Sequence, residues 1–300
     1  MGTAGAPGDG ALVADGMTEA AQDTRLQTQD TAPLSAGMTG GKALCRIVCA
    51  CGADFAVHLA QMMENDAPEG PHRARVALRR LRSALRGFSP IIDKKLRKAT
   101  EKQARDLFRL IGHVRDADVM LHDLPGGDGM QTRRAEADRR RAEVRAELQR
   151  ASADAFCDTL RTRFSGGDWQ AEGARARAWR KGKVARLARR AMRHAWSDSA
   201  AHGADLARMP QRDRHELRKD LKTLRYLAEF FVPLWPGDAQ DAFLDRMRGL
   251  QDALGALNDL SLLDGGAPGA QPPPADQMRK LLKTAQKDWR ALRNTKPYWG

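Results

Sequence analysis

The feature that most constrains the fold of this 300-residue chain is an internal repeat with a constant offset of 143 positions. A helical pattern of one histidine followed by cations a turn apart begins at His72 and begins again at His215. The same offset aligns Gly112 with Gly255. Because one offset relates two separate blocks, we interpret the chain as a duplicated unit whose cationic pattern occurs twice.

Apolar residues recur with a helical period along the chain, and no alternating run of β-branched residues predicts a sheet. Glycine and proline separate the helical segments. Eight helices are predicted, at about 42–64, 70–88, 91–123, 131–164, 174–202, 210–232, 238–263 and 275–293. The sequence therefore predicts an all-α fold of two four-helix-bundle repeats related by a pseudo-twofold, at 42–164 and 174–293, within one domain over 42–293.

The charge of the chain points to an anionic partner. Its 51 lysines and arginines outnumber 38 acids, which gives a net charge of +13 and is typical of proteins that meet nucleic acid, anionic membranes or phosphate polymers. Residues 1–41 differ, because they carry one arginine against five acids and little apolar surface, so we expect a disordered tail there. We find no secretory signal and no apolar run of membrane-spanning length, and therefore expect a cytoplasmic protein with no membrane partner.

A row of cations flanks the apolar face of the predicted helix 70–88. Its members, here called the first stripe, are His72, Arg75, Arg79, Arg82 and Arg86. The segment 70–92 contains no Asp or Glu, although like charges one turn apart destabilise a helix by about 0.2–0.5 kcal/mol per pair. Because no acidic side chain of this segment offsets the repulsion between the arginines, the pattern favours binding of an external anion. The equivalent second stripe comprises His215, Arg218, Lys222 and Arg225, and Glu229 replaces the last cation.

Other helices contribute weaker cationic signals. Lys98, Lys102, Arg105 and Arg109 fall on one face of the helix 91–123, and Glu101 and Asp106 are expected at other angles. On the opening helices of the two copies, the offset aligns Arg46 with Arg189, and Arg190 and Arg193 extend the second row.

These motifs resemble those of the CHAD family, the conserved-histidine α-helical domains. The resemblance lies in the two stripes and in the segments 112–119 and 254–259 that follow them, and it covers about 42–293. It implies two four-helix repeats whose basic surface, including both stripes, binds inorganic polyphosphate and often localises the protein to polyphosphate granules. No catalytic domain of the triphosphate-tunnel type precedes the helices, so we expect a binding protein without enzymatic activity or cofactor.

Alternatives remain at this point. Single-stranded nucleic acid could occupy the same basic surface, although aromatic residues make up only 5% of the chain. A phosphotransfer enzyme could use His72 or His215 as its nucleophile. Metal binding could involve the two histidines, or Asp116 and Asp259 with neighbouring acids. We expect no metal, and we interpret the four cysteines as free thiols because no CxxC pair occurs.

Overall fold

The computed structural model describes residues 33–123, 130–264 and 275–300, with the backbone alone for 115–123 and 261–264. These ranges contain ten α-helices and no β-strand beyond two isolated bridges. The helices are α1 (Gly40–Glu64), α2 (Glu69–Gly87), α3 (Lys94–Asp123), α4 (Met130–Arg150), α5 (Ala153–Gly166), α6 (Ala174–Lys181), α7 (Val184–Ala201), α8 (Gln211–Phe230), α9 (Asp238–Asp264) and α10 (Ala275–Asn294). The predicted all-α class is confirmed.

The helix boundaries repeat at the offset found in the sequence. Helices α1 to α4 correspond to α7 to α10, and short 3₁₀ turns at Ser89–Ile91 and Val232–Leu234 occupy equivalent places. Phe88 and Phe231, which this offset also relates, contact each other with ring centroids 5.8 Å apart. A twofold relation brings a residue against its own equivalent. The contact between Phe88 and Phe231 supports the pseudo-twofold. Both the pseudo-twofold and the division into two repeats stay predictions.

Two of the predicted helices are each divided into two. The segment 131–164 forms α4 and α5, separated where Ser152 adopts a left-handed conformation with φ 50°. The segment 174–202 forms α6 and α7, separated by Gly182 and Lys183 in extended conformations. The expectation of eight helices was therefore wrong. Helices α5 and α6 connect the two sets of four, and α5 packs on α1 through Phe55 and Phe156, whose centroids are 6.1 Å apart.

The start of the described chain packs against the fold. Leu34 is buried in the core, and the Thr39 side chain accepts a hydrogen bond from the backbone N–H of Lys42, which caps α1. The Met38 carbonyl accepts a hydrogen bond from the N–H of Val184. The predicted disordered tail was thus wrong for 33–41, because these residues bury a leucine and pair their backbone. Residues 1–32 lie outside the described ranges.

Helix α1 is long and apolar enough to cross a membrane, judged by length and composition only. Its most apolar 18-residue window has a mean hydropathy of 1.6, and half of that window is buried within the fold. The expectation that no run of this kind exists was therefore wrong. Buried residues such as Leu44, Val48 and Phe55 pack into the core, which is the placement of a central helix in a bundle.

The cysteines cluster along α1 and α5. All four are free thiols, as predicted, but only Cys51 is fully buried. Burial raises the pKa of Cys51 to about 12 and, together with the nearby Cys49, raises that of Cys45 to about 11. The Cys45 thiol donates a hydrogen bond to the carbonyl of Phe164 at 2.9 Å.

Candidate anion-binding surface

Part of the first stripe rests on an aromatic ring of the next helix. The guanidinium carbons of Arg75 and Arg79 on α2 lie 4.2 and 5.1 Å from the ring centroid of Phe108 on α3, within the range of cation–π attraction. One turn beyond the ring, Gly112 lets Arg75 approach the α3 backbone, because a Cβ at 112 would collide with Arg75 Nη1. Sequence reasoning missed Phe108, although its position one turn before the repeated glycine was a usable signal.

Arg82 lies among other cations. Burial lowers the pKa of its guanidinium, and the positive charges of Arg86, Arg105 and Arg79 lower it further. Its Nε is buried without a hydrogen-bond partner. Arg79, Arg82 and Arg86 of α2 thus lie beside Arg105 of α3. The sequence predicted that Arg105 adds to the cationic surface.

We call Arg75, Arg79, Arg82, Arg86 and Arg105 the arginine cluster. Among the described residues, Arg82, Arg86 and Arg105 form no ion pair. Glu101 is the nearest acid to influence Arg82, but its carboxylate accepts a hydrogen bond from Arg97 at 2.6 Å. Guanidinium groups offer bidentate donors that match phosphate oxygens. The cluster therefore provides closely spaced donors for an anion with several oxygens.

The second stripe differs from the first because a carboxylate lies within it. Arg225 donates to Oε1 of Glu229 at 2.9 Å, and Arg80 of α2 donates to the other oxygen. Arg225 is only 4% exposed, and Lys222 only 7%. The resemblance to the CHAD family implies that Lys222 and Arg225 contact the polymer at the protein surface. Their burial corrects that expectation, and for Arg225 the reason is that the carboxylate at 229 neutralises it inside the fold.

Arg80 lies off the predicted stripe, and sequence reasoning missed it. Its guanidinium lies over the rings of Phe230 and Tyr226, at 4.9 and 5.7 Å from their centroids. Burial lowers the pKa of Arg80, but the charges of Glu229, Cys51 and Tyr226 and the hydrogen bond to Glu229 together outweigh it, so the pKa is raised. Arg80 thus joins α2 to α8 and takes no part in the open surface.

The two histidines that begin the stripes have different surroundings. His72 is only 5% exposed, so its ring does not lie on the surface where we had expected it to contact a polymer. His215 is exposed, with Nδ1 3.4 Å from Oδ1 of Asn258. Beside it, Arg218 approaches Gly255, since a Cβ there would lie 3.6 Å from Nη2. In both repeats, therefore, an arginine lies close to the glycine of a neighbouring helix. The histidines differ, because His72 is buried and His215 is exposed.

The remaining predicted cations of α3 are exposed. Lys102 forms an ion pair with Asp106 at 2.7 Å. Asp106 was expected on another side of the helix than the cations. That expectation was wrong, because Lys102 and Asp106 are one helical turn apart and therefore lie on the same side. Arg109 is exposed and, within the described part of the chain, forms no ion pair.

The cations predicted on the opening helices mostly bind the backbone of the terminal segments. Arg46 donates to the carbonyl of Pro33 at 3.0 Å. Arg189 and Arg193 donate to the carbonyls of Trp299 and Gly300 at 3.0 and 2.8 Å. These three guanidinium groups each bind a backbone oxygen, and their place in an anion-binding row stays a prediction. Arg190 is exposed.

The candidate acidic ligands lie mostly beyond what the structure describes. The side chains of Asp116, Asp118 and Asp123 are outside the described residues. Asp259 is exposed, and its Oδ1 lies 3.4 Å from Nδ2 of Asn258. In the part of the chain that was searched, no group of three or more His, Cys, Asp or Glu residues is placed to hold a metal ion.

Comparison with known proteins gives one family match and similar solved structures. The CHAD domain profile matches residues 46–265. The crystal structure of the CHAD domain from the plant Ricinus communis is similar, with a TM-score of 0.70 and 24% identity over 89% of this chain and 97% of that chain. PptA from Streptomyces chartreusis matches with a TM-score of 0.44 and 17% identity, over 85% of this chain and 97% of that chain. No curated protein sequence matches significantly.

Proposed function

Because this chain belongs to the CHAD family, we propose that it binds inorganic polyphosphate through the arginine cluster. The observation that carries the proposal is the environment of Arg82. Its guanidinium is partly desolvated beside Arg79, Arg86 and Arg105, and its Nε has no hydrogen-bond partner. Guanidinium groups held close together repel one another, and a bound anion reduces that repulsion.

Polyphosphate fits this arrangement because it is linear and charged at every unit. Arg75, Arg79, Arg82 and Arg86 follow one another at intervals of four, three and four residues, which places them about 5–6 Å apart along α2. Arg105 widens the row from α3. A flexible chain of phosphates can therefore contact successive guanidinium groups without any further recognition element.

The ring at the centre of the cluster is poorly suited to reading bases. Nucleic-acid grooves without sequence preference usually offer aromatic faces on which bases stack. The face of Phe108 is instead covered by Arg75 at 4.2 Å. This favours a polyanion without bases over single-stranded RNA or DNA.

Competition between ligands tests the proposal. We expect long-chain polyphosphate to displace a labelled single-stranded RNA of equal charge at a lower concentration than the RNA displaces labelled polyphosphate. Binding should also weaken with salt, with a slope of log affinity against log salt of roughly −3 to −4 if five cations each release about 0.7 counterion. Equal displacement by RNA, or affinity unchanged between 50 and 300 mM salt, would overturn it.

We also propose that the protein binds the polymer without turning it over, in the cytoplasm and at polyphosphate granules. The burial of His72 does not favour a nucleophile that must reach a phosphoryl group. Incubating the protein with polyphosphate and nucleotides should leave the polymer length unchanged on a gel. A fluorescent fusion should lie on the granules, and a diffuse signal in cells that contain granules would contradict the localisation.

A further inference from the structure

A second cationic surface lies outside the arginine cluster. The segment 173–197 contains no Asp or Glu. Eight of its arginines and lysines are exposed; Arg189 and Arg193 bind the backbone of the last two residues, and the other six form no ion pair among the described residues. We call them the α6–α7 patch: Arg175, Arg177, Lys181, Lys183, Arg186 and Arg190. Arg186 lies over the ring of Trp179, 4.6 Å from its centroid, so the cation–π contact joins the two helices of the patch.

The chain that leads out of residues 1–32 reaches this patch directly. Thr39 forms an antiparallel bridge with Lys183. On either side of the bridge, the Met38 carbonyl accepts from Val184 N–H at 2.8 Å, and Gly40 N–H donates to the Gly182 carbonyl at 2.9 Å. Before this bridge the chain turns, with the Met38 N–H donating to the Ser35 carbonyl at 3.0 Å, and Pro33 then lies beside Arg46 of α1.

The charge of residues 1–32 is complementary to that of the patch. These residues carry Asp9, Asp15, Glu19, Asp23 and Asp30 against a single cation, Arg25. Asp30 is three positions from Pro33, whose carbonyl Arg46 holds at 3.0 Å. Three residues of chain span at most about 10 Å, and the ten from Asp23 to Pro33 span at most about 35 Å. Helix α7, with 18 residues, is about 27 Å long, so the acids can reach along its whole length.

We propose that the acidic residues 1–32 dock on the α6–α7 patch of the same chain. A short tether holds them at an effective concentration of the order of millimolar, so even weak pairing between exposed charges is populated. Ionic strength weakens this docking, because exposed charges more than about 8–10 Å apart are screened at physiological salt. The docking does not depend on polyphosphate binding, since the patch and the arginine cluster comprise different residues.

Zero-length coupling of carboxylates to amines tests the docking, because the patch contains two lysines. Treating the full-length protein with a carbodiimide in low salt should couple Asp or Glu of 1–32 to Lys181 and Lys183, as identified by mass spectrometry. The yield should fall several-fold at 300 mM salt. Coupling spread evenly over exposed lysines of α10, such as Lys283 and Lys287, would overturn the proposal.

A charge variant separates docking from mere proximity along the chain. Arg175→Gln, Arg177→Gln and Arg186→Gln together keep both lysines and the tether but remove half of the patch cations. We expect the coupling yield to Lys181 and Lys183 to fall at least threefold. The same number of Arg→Gln changes on α4, at 133, 134 and 139, should leave it unchanged. An unchanged yield in the patch variant would show that the tether alone brings the groups together. Neither result depends on whether polyphosphate binds.

Discussion

Neutralising Arg82 should make the protein more stable and bind polyphosphate less well. Three like-charged neighbours surround this guanidinium, and each such pair costs about 0.2–0.5 kcal/mol at helical-turn spacing. Its Nε is buried without a partner, a loss of about 1–3 kcal/mol for a polar group. Arg82→Met removes both terms and keeps an apolar stem of similar length. The two terms sum to about 1.6–4.5 kcal/mol, and loss of the attraction to Glu101 offsets part of this, so we expect the free energy of unfolding to rise by about 1–3 kcal/mol.

The assay is chemical or thermal denaturation of the variant beside the unchanged protein. For a domain of this size the melting temperature should rise by about 2–4 °C for each kcal/mol. Arg97→Met is the matched control, because Arg97 lies on α3 but pairs with Glu101 at 2.6 Å. Losing that pair, whose side chains are only 21% and 16% exposed, should lower the free energy of unfolding by about 1–3 kcal/mol, the opposite sign to the Arg82 variant.

The affinity for polyphosphate should change in the opposite direction. Loss of one charge-assisted contact of about 1.5–3 kcal/mol corresponds to a decrease of at least about tenfold. If Arg82→Met is less stable than the unchanged protein, the Arg82 side chain stabilises the fold, which contradicts the reasoning above. A variant of unchanged affinity would remove Arg82 from the binding surface.

Three further predictions follow from single contacts. Glu229→Gln removes the carboxylate that Arg80 and Arg225 share and should lower the free energy of unfolding by about 3–5 kcal/mol. Asp106→Asn, in an exposed pair, should cost less than about 1 kcal/mol, and equal losses of the two variants in denaturation would refute this. Gly112→Ala should push Arg75 of α2 away from α3 and weaken polyphosphate binding several-fold. Gly255→Ala should not, because a Cβ at 255 would lie 3.6 Å from Nη2 of Arg218, an ordinary van der Waals distance. Equal affinities of the two variants in a polyphosphate titration would contradict this. Cys51, whose pKa is raised to about 12, should react with a thiol reagent at pH 7.5 at least about 100-fold more slowly than in urea, and rapid labelling of the native protein would contradict its burial.

The helices and their order could be predicted from the sequence because apolar period and Gly/Pro breaks are local signals. The breaks at Ser152 and Gly182 were missed. Ser152 does not mark a left-handed turn by its type, and Gly182 lies in a run of cations that reads as one continuous helix. The packing of Leu34 was missed because one leucine in a polar segment gives no periodic signal.

In the candidate site, too, the features set by nearby sequence could be predicted, and those set by packing between helices could not. Arg79, Arg82 and Arg86 could be selected because their spacing and the absence of acids are visible in the sequence. The burial of Lys222 and the pairing of Arg225 could not. The Arg80–Glu229 ion pair joins residues 149 positions apart, so its existence depends on how α2 packs against α8.

The most direct test of polyphosphate binding by the arginine cluster is a titration of three proteins with long-chain polyphosphate at one low salt concentration. The first is unchanged, the second carries Arg79→Gln, Arg82→Gln and Arg86→Gln, and the third carries three Arg→Gln changes on α4, at 133, 134 and 139, so that the two variants have equal net charge. We predict that affinity falls by at least about 100-fold in the cluster variant, at roughly 1 kcal/mol or more for each lost contact, and by less than about threefold in the α4 variant. Equal weakening of both variants would show that net charge alone governs binding and would contradict the assignment of the site.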